Sequence, residues 1–374
     1  MATPINISKK SKALSEEQFF GLLNDMIIET QNGVRTKKNG QRIGSGSVRM
    51  YRCLERSLKE FSEQSSFRMK IYIDQNLNYK EKVAAKKYYA KFYMKYTNFL
   101  YKKKDYYDNY VGSLMKLLRA FFNYLEGDKH IPVGSYHRSF YIPKEEIPIV
   151  ALSVEQLQYI IYNQAFNEAI KRKKLEKIRD TFIVGCTIAL RVSDLLNLSH
   201  QNLHVINDDY YIRVKSQKTA TFTSVKLPDY ATEIIKKHQR KNGKLLPEMT
   251  PEWFNRKLKV LAKMLPDDFE MVKTREKNGK AIVFYRNEKR KQHYKLSDHI
   301  STHTMRKTAI STMLALGMPE HIVRKISGHA ANSKEFFRYV KMAQNVLDQE
   351  SDRVFDKIRN YEQGVIYPAT GIGL

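Results

Sequence analysis

The chain has 374 residues, of which 42% are hydrophobic, so it is long enough to form two or three domains with separate cores. Lysine and arginine number 66 against 39 aspartates and glutamates, which gives a formal charge of +27 at pH 7. This excess favours a polyanionic partner, nucleic acid first of all, over a charge that serves solubility alone. Because we find neither a signal-peptide core nor an apolar span of about 18 residues, we expect a cytoplasmic protein associated with the nucleoid and no membrane partner.

Metal-binding patterns are sparse. The two cysteines lack a second cysteine at zinc-ligand spacing. His299 and His303 are four residues apart, but a helix start between them would separate their side chains. Acidic residues at 208–209 and 267–268 are typical of solvated turns. We therefore expect no metal and no cofactor.

The first third of the chain is predicted to be helical. Residues 13–30 form an amphipathic pattern that Ser15 opens, and the Gly-, Lys- and Arg-rich stretch at 31–47 indicates a linker or basic arm. Residues 1–47 are thus an N-terminal helix and basic linker. Residues 48–126 show helical spacing throughout, with lysines interleaved among tyrosines; buried rings with a solvated charged face are the favoured interpretation.

Residues 127–150 carry three prolines and no helical period, so we predict an interdomain linker. A second domain follows at 151–345, with a capped helix start at Ser153. Period-two alternation at 203–228 predicts a small antiparallel sheet, and a basic hairpin is expected at 270–289. The predicted fold class is mainly α with this small antiparallel β-sheet, an α+β second domain.

Helices return in the last third. Thr302 is predicted to cap a helix at 303–316, Ser333 to cap the helix that carries Tyr339, and a further amphipathic helix to fill 342–361. Residues 346–374, a C-terminal helix and tail, are a candidate for packing on a neighbouring protomer.

Six residues spread over the second domain form an ordered set: Arg191, Lys218, His303, Arg306, His329 and Tyr339. Their segments are GCTIALRVSDLLNL, SQKTATFTSVKLP, HTMRKTAIST and ISGHAANSKEFFRYV. Together these segments resemble the signature of the tyrosine recombinase (phage integrase) family, in which Arg, Lys, His-x-x-Arg, His or Trp, and Tyr follow in this order. The resemblance covers about 150–345 and, more weakly, the helical module before it, which would be a core-binding DNA-binding domain.

The chemistry gives each member a task. Charge develops on the nonbridging oxygens of a phosphodiester as it breaks, so Arg191 and Arg306 are predicted to clamp the phosphate. His303 would relay the proton of the Tyr339 hydroxyl, which attacks phosphorus. The resemblance implies a 3′-phosphotyrosine intermediate. It also implies that His329 hydrogen-bonds a phosphate oxygen.

Two assignments keep alternatives. Lys218 is our choice for protonating the leaving 5′ oxygen, and Lys215 is the competitor because the register of the hairpin decides which side chain reaches the DNA. His329 lies ten residues before Tyr339, where nine is commoner in the family. Tyr361 and Tyr294 are therefore alternative nucleophiles, although neither follows a Gly-His pair.

We predict a site-specific DNA recombinase that cleaves and rejoins strands for integration, excision or inversion of a bacterial mobile element. Its partners would be double-stranded DNA, three further copies of itself in a homotetramer on two DNA sites, and candidate accessory DNA-bending proteins. A type IB topoisomerase shares this chemistry and is one alternative. A non-catalytic DNA-binding regulator is the other.

Overall fold

The computed structural model describes residues 11–37, 39–216, 222–239 and 243–361, and they form two compact units. The first contains the described residues up to Ile147 together with Lys273–Phe284; the second contains Pro148–Val272 and the residues from Tyr285 onward. The described chain is mainly helical with small antiparallel sheets, which confirms the predicted fold class.

The first unit is a helical module with an aromatic core. Its elements are β1 (Ala13–Leu14), α1 (Glu16–Asn32), α2 (Ser45–Ser65), β2 (Ile71–Tyr72), α3 (Tyr79–Lys102), α4 (Asp108–Gly127) and the later hairpin β7 (Lys273–Lys277) and β8 (Lys280–Phe284). Ser15 and Asn78 begin α1 and α3 with capping boxes. On α3, Tyr89 and Tyr96 are buried while Lys87 and Lys91 are exposed, as predicted for core rings beneath a charged face.

The segment after α4 differs from the expected linker. Ile131, Val133 and Phe140 are buried in the same core as α1–α4, and the chain up to Ile147 packs with the first unit. Apart from a short 3-10 helix at Tyr136–Ser139, the segment has no regular structure. The prolines of 127–150 correctly predicted that no further α-helix forms there. They gave no indication that the apolar residues of this segment pack against the core of α1–α4.

The hairpin β7–β8 turns at Asn278 and Gly279, as predicted, and both turn residues have positive φ, 53° and 72°. Its turn binds to α4. The buried carboxylate of Asp108 accepts hydrogen bonds from the backbone N–H groups of Asn278 (2.7 Å) and Gly279 (3.0 Å). Glu145 likewise accepts from the backbone of Glu276 at 3.1 Å. Carboxylates that meet adjacent turn N–H groups fix the hairpin on the first unit.

The second unit surrounds a three-stranded sheet with helices. Its elements are α5 (Val154–Tyr162), α6 (Gln164–Arg172), α7 (Glu176–Ile188), α8 (Val192–Leu196), β3 (Leu203–Ile206), β4 (Asp209–Lys215), β5 (Phe222–Lys226), α9 (Asp229–His238), α10 (Pro251–Ala262), β6 (Glu270–Met271), β9 (Tyr294–Lys295), α11 (Leu296–His299), α12 (Thr302–Ala315), α13 (Glu320–Ser327) and α14 (Lys334–Tyr361). The antiparallel sheet has the order β3-β4-β5, and β6 pairs with β9. In the described residues, no helix is long and apolar enough to span a bilayer.

Capping residues in the sequence predicted where several helices of this unit begin. Ser153 caps α5, and Thr250 with Pro251 begins α10, as predicted. Ser301, one residue before the predicted Thr302, is the N-cap of α12. The helices expected on either side of residue 342 form one continuous helix, α14, because no Gly or Pro interrupts 334–361.

Helix α4 approaches the backbone of Pro143 closely at Gly112, and a substitution there tests this packing. A Cβ atom there would lie 2.0 Å from the carbonyl oxygen of Pro143, whereas one at Gly127, at the end of the same helix, would meet nothing within 4 Å. We predict that Gly112→Ala lowers the free energy of unfolding by about 1–3 kcal/mol, although alanine favours a helix by roughly 1 kcal/mol. Gly127→Ala should be neutral or slightly stabilising. Equal urea midpoints for the two variants would contradict the close approach.

Candidate active site

Arg191 lies between two helices of the second unit. Helix α7 ends at Ile188, its C-cap residue Ala189 turns the chain with a φ of 55°, and Arg191 is the extended N-cap residue of α8. One guanidinium nitrogen of Arg191 donates to Ser216 Oγ at 2.9 Å. Ser193 lies inside α8, because the helix begins at Val192.

Arg306 is buried on α12, with only 5% of its surface exposed. Its guanidinium donates to the carbonyl oxygens of Ala189 at 2.7 Å and Ser327 at 2.5 Å. Burial, and then the positive charge of Arg191, lowers the pKa of Arg306 to about 10, so it stays charged at pH 7. The side chain thus ties the end of α7 to the end of α13.

His329 follows Gly328, which ends α13 in the left-handed conformation at φ 63°. Its Nδ1 lies 2.8 Å from Ser327 Oγ. Burial, followed by the charges of Arg306 and Arg191, lowers the pKa of His329 to about 4. The ring is therefore neutral at pH 7.

Tyr339 lies on α14 and is 6% exposed. Its ring centroid is 6.2 Å from that of His329. Burial raises the pKa of the Tyr339 hydroxyl, while the positive charge of Arg306 opposes this effect. A hydroxyl in this state keeps its proton at neutral pH and needs a base before it can act as a nucleophile.

The loop between His329 and α14 is held by Arg324. The Arg324 guanidinium donates to the carbonyl oxygen of Ala331 at 2.6 Å and lies 4.7 Å from the ring centroid of Phe336. Ser333 Oγ accepts from the backbone N–H of Phe336 at 3.3 Å, which fits the predicted cap. These contacts fix where α14 begins and hence where Tyr339 lies.

The other predicted residues are placed as follows. His303 is exposed in the first turn of α12, three residues before Arg306. Lys215 is exposed at the end of β4, where it pairs with Phe222. Lys218 lies outside the described residues. Of the alternative nucleophiles, Tyr294 is in β9, its ring 6.0 Å from that of His299, and Tyr361 is the last residue of α14.

Across the described ranges, no group of three or more His, Cys, Asp or Glu side chains is arranged to hold a metal ion. His299 is the last residue of α11 and His303 lies in α12, so the two histidines do not share a helix, as the sequence indicated. Asp268 accepts from the backbone N–H and the hydroxyl of Ser297, at 2.8 Å and 3.0 Å, which is a structural role.

Ser216 and Ser327 are among the contributors to the site that were not singled out from the sequence. Ser216 and the carbonyl oxygen of Ser327 contact the two arginines. Neither residue has a distinctive local pattern, since serine is common and a backbone carbonyl has no sequence signal. Asp194, three residues after Arg191, is 5% exposed and accepts from Ser216 at 3.2 Å.

Comparison with known proteins finds one matching family model and several solved structures of similar fold. Residues 161–345 match the model of the phage integrase family. Solved structures with the same fold include the XerH site-specific recombinase bound to palindromic difH substrate (12% identity, TM-score 0.52, 92% of this chain and 90% of that chain). A lambda integrase tetramer bound to a Holliday junction has 10% identity and a TM-score of 0.53, over 88% of this chain and 78% of that chain. No curated protein sequence matches.

At these identities the structural likeness shows the fold. The family match covers the segment that contains Arg191, Arg306, His329 and Tyr339. The segment 161–345 belongs to the phage integrase family, the family that its motifs resemble.

The low pKa of His329 predicts how stability depends on pH. Because the folded-state pKa of about 4 is below the ordinary 6.5, the unfolded chain binds a proton between these values that the folded chain does not. The free energy of unfolding should therefore fall as the pH drops from about 7.5 to about 5, and fall less in His329→Gln. The exposed His321 on α13 is the control. If His321→Gln flattens the pH dependence and His329→Gln does not, burial of His329 is not its cause.

Proposed function

We propose that this protein is a site-specific DNA recombinase that cleaves and rejoins strands through a covalent 3′-phosphotyrosine intermediate. The observation that carries the proposal is the cluster of Tyr339, His329 and Arg306 in one site, electrostatically coupled to Arg191. The four residues occupy the family's motif positions.

The proposed reaction is a transesterification. Tyr339 Oη bonds to phosphorus while the bond to the 5′ oxygen breaks. The hydroxyl proton passes to His303, and Lys218, or Lys215, protonates the departing oxygen. Arg191 and Arg306 stabilise the charge on the nonbridging oxygens, and neutral His329 hydrogen-bonds one of them. The phosphotyrosyl ester retains the energy of the broken bond, so the reaction can reverse onto a new 5′ hydroxyl without ATP.

Double-stranded DNA is the proposed substrate, and the formal charge of +27 supports it. We assign backbone contacts to both units, with the helical module of 48–126 as the core-binding domain and 151–345 as the catalytic domain. The lambda integrase in the comparison is a tetramer bound to a Holliday junction, and we propose a homotetramer on two sites here as well. Integration, excision or inversion for a bacterial mobile element, assisted by DNA-bending proteins, is the proposed role.

The C-terminal segment 346–374 is assigned to contacts between protomers. A cavity of about 880 Å³ in the second unit is lined by the start of α5, residues 266–269, the end of α12, and Met342 and Ala343 of α14. The uncharged sequence VIYPATGIGL, at 365–374, suits an apolar surface of this kind. We propose that this segment of a neighbouring protomer occupies the cavity.

A nicked DNA substrate tests the nucleophile. With a nick placed so that the cleaved strand fragment diffuses away, the wild-type protein should accumulate a covalent adduct. Tyr339→Phe should form none while binding DNA with nearly unchanged affinity, because only one oxygen is removed. Tyr294→Phe is the matched control and should react like wild type. An adduct from Tyr339→Phe, or its loss in Tyr294→Phe, would reject Tyr339.

A substrate with a 5′ bridging sulfur tests the general acid. A thiolate leaves without a proton, so Lys218→Ala should be slow on the oxygen substrate and near wild type on the sulfur substrate. Arg191→Ala should lose at least about a hundredfold on both, since it removes a transition-state donor. Recovery of Lys215→Ala, and not of Lys218→Ala, would transfer the role to Lys215.

A further inference from the structure

Ser216 is a buried serine directly after β4. It is 5% exposed, and its hydroxyl lies between two charged side chains. Arg191 approaches Ser216 Oγ at 2.9 Å, and Asp194 Oδ2 lies 3.2 Å from the same oxygen. The hydroxyl thus bridges the guanidinium of Arg191 and the carboxylate of Asp194.

The chemistry of the partners fixes the direction of both hydrogen bonds. A guanidinium can only donate and a carboxylate can only accept. The Ser216 hydroxyl therefore accepts from Arg191 and donates to Asp194. Each bond has an ionised partner, and each polarises the hydroxyl in the sense that strengthens the other. The chain of bonds selects one orientation of the Arg191 side chain.

The position of Ser216 in the chain makes this bridge relevant to the reaction. The last paired residues of β4 and β5 are Lys215 and Phe222, so Ser216 begins the connection that contains Lys218. Arg191 lies at the junction of α7 and α8. Ser216 therefore links the end of the strand that carries Lys215 with the arginine that we propose binds the phosphate.

We propose that Ser216 is a positioning residue for DNA cleavage, which holds the Arg191 guanidinium in the orientation that receives the scissile phosphate. This inference rests on the proposed function. Asp194 is the anchor of the bridge, and the hydroxyl transmits its position to Arg191. The effect of Ser216 on cleavage passes through Arg191 rather than through the lysines.

Single-turnover adduct formation on the nicked substrate tests this role. Ser216→Ala should slow adduct formation by roughly 10- to 100-fold, the range for losing a hydrogen bond to a charged group. Ser216→Thr keeps the hydroxyl and should restore most of the rate. Thr223→Val is the matched control: Thr223 is a buried hydroxyl on β5 that bonds the Val214 carbonyl oxygen at 3.3 Å. Its rate, and the DNA affinity of all three variants, should stay close to wild type.

Double variants separate positioning from a general loss of structure. Adding Ser216→Ala to Arg191→Ala should cost little further rate, because the residue through which it acts is gone. Adding it to Lys218→Ala should multiply the two losses. The bridging-sulfur substrate should leave Ser216→Ala as slow as the oxygen substrate does. Thermal unfolding of each variant checks that the second unit is folded.

Several results would overturn the inference. They are a wild-type rate for Ser216→Ala, an equal loss in Thr223→Val, no restoration by threonine, multiplied losses with Arg191→Ala, or rescue of Ser216→Ala by the sulfur substrate. If wild-type protein itself forms no adduct, the proposed function fails and this inference fails with it. If wild type reacts and Ser216→Ala equals it, only the inference fails.

Discussion

The site depends on the hydrogen bonds that the buried guanidinium of Arg306 donates to two backbone carbonyl oxygens. A charge in the interior is costly unless its donors find partners, and Arg306 meets this condition by donating to the carbonyl oxygens of Ala189 and Ser327. Those two carbonyls belong to the ends of α7 and α13. Helix α12 can bring Arg306 to them because Gly185 on α7 leaves room: a Cβ atom there would lie 2.4 Å from the Met305 sulfur.

The same cation determines the electrostatics around it. Burial, and then the charges of Arg306 and Arg191, lower the pKa of His329, so the ring remains a neutral partner rather than a third cation beside them. Arg306 also opposes the rise in the pKa of Tyr339 that burial causes. An anionic phosphate entering this positive potential would be stabilised by charges that are already in place. A site preorganised for an anion in this way is less stable without one, the usual conflict between activity and stability.

Local chemistry explains which parts of the fold could be predicted. The caps at Ser15, Ser153 and Thr250 and the turn at Asn278 and Gly279 depend on residues within three or four positions of one another. Packing between segments that are distant in the sequence could not be predicted. No pattern in 127–150 indicates that its apolar residues join the core of α1–α4, and none in the hairpin indicates that Asp108 binds its turn.

The residues of the candidate site also fall into two groups, those that the sequence predicted and those that only the structure reveals. The order of the motifs selected Arg191, Arg306, His329 and Tyr339 as candidates, and the structure describes all four in one unit. Ser216 and Ser327 were not predicted, because their contacts with Arg191 and Arg306 form only when the end of β4 and the end of α13 pack near the arginines.

The unusual spacing between His329 and Tyr339 is compatible with Tyr339 as the nucleophile. An extra residue inside α14 would rotate later side chains by about 100°, which would remove Tyr339 from the site. The structure instead has a turn between these residues, in which the Ser333 N–H donates to the Ala330 carbonyl oxygen at 3.1 Å. Arg324 fixes this turn from α13 through Ala331, and Phe336 packs against His329 with ring centroids 5.5 Å apart. This turn lies before α14 begins, and α14 then places the Tyr339 ring 6.2 Å from the His329 ring.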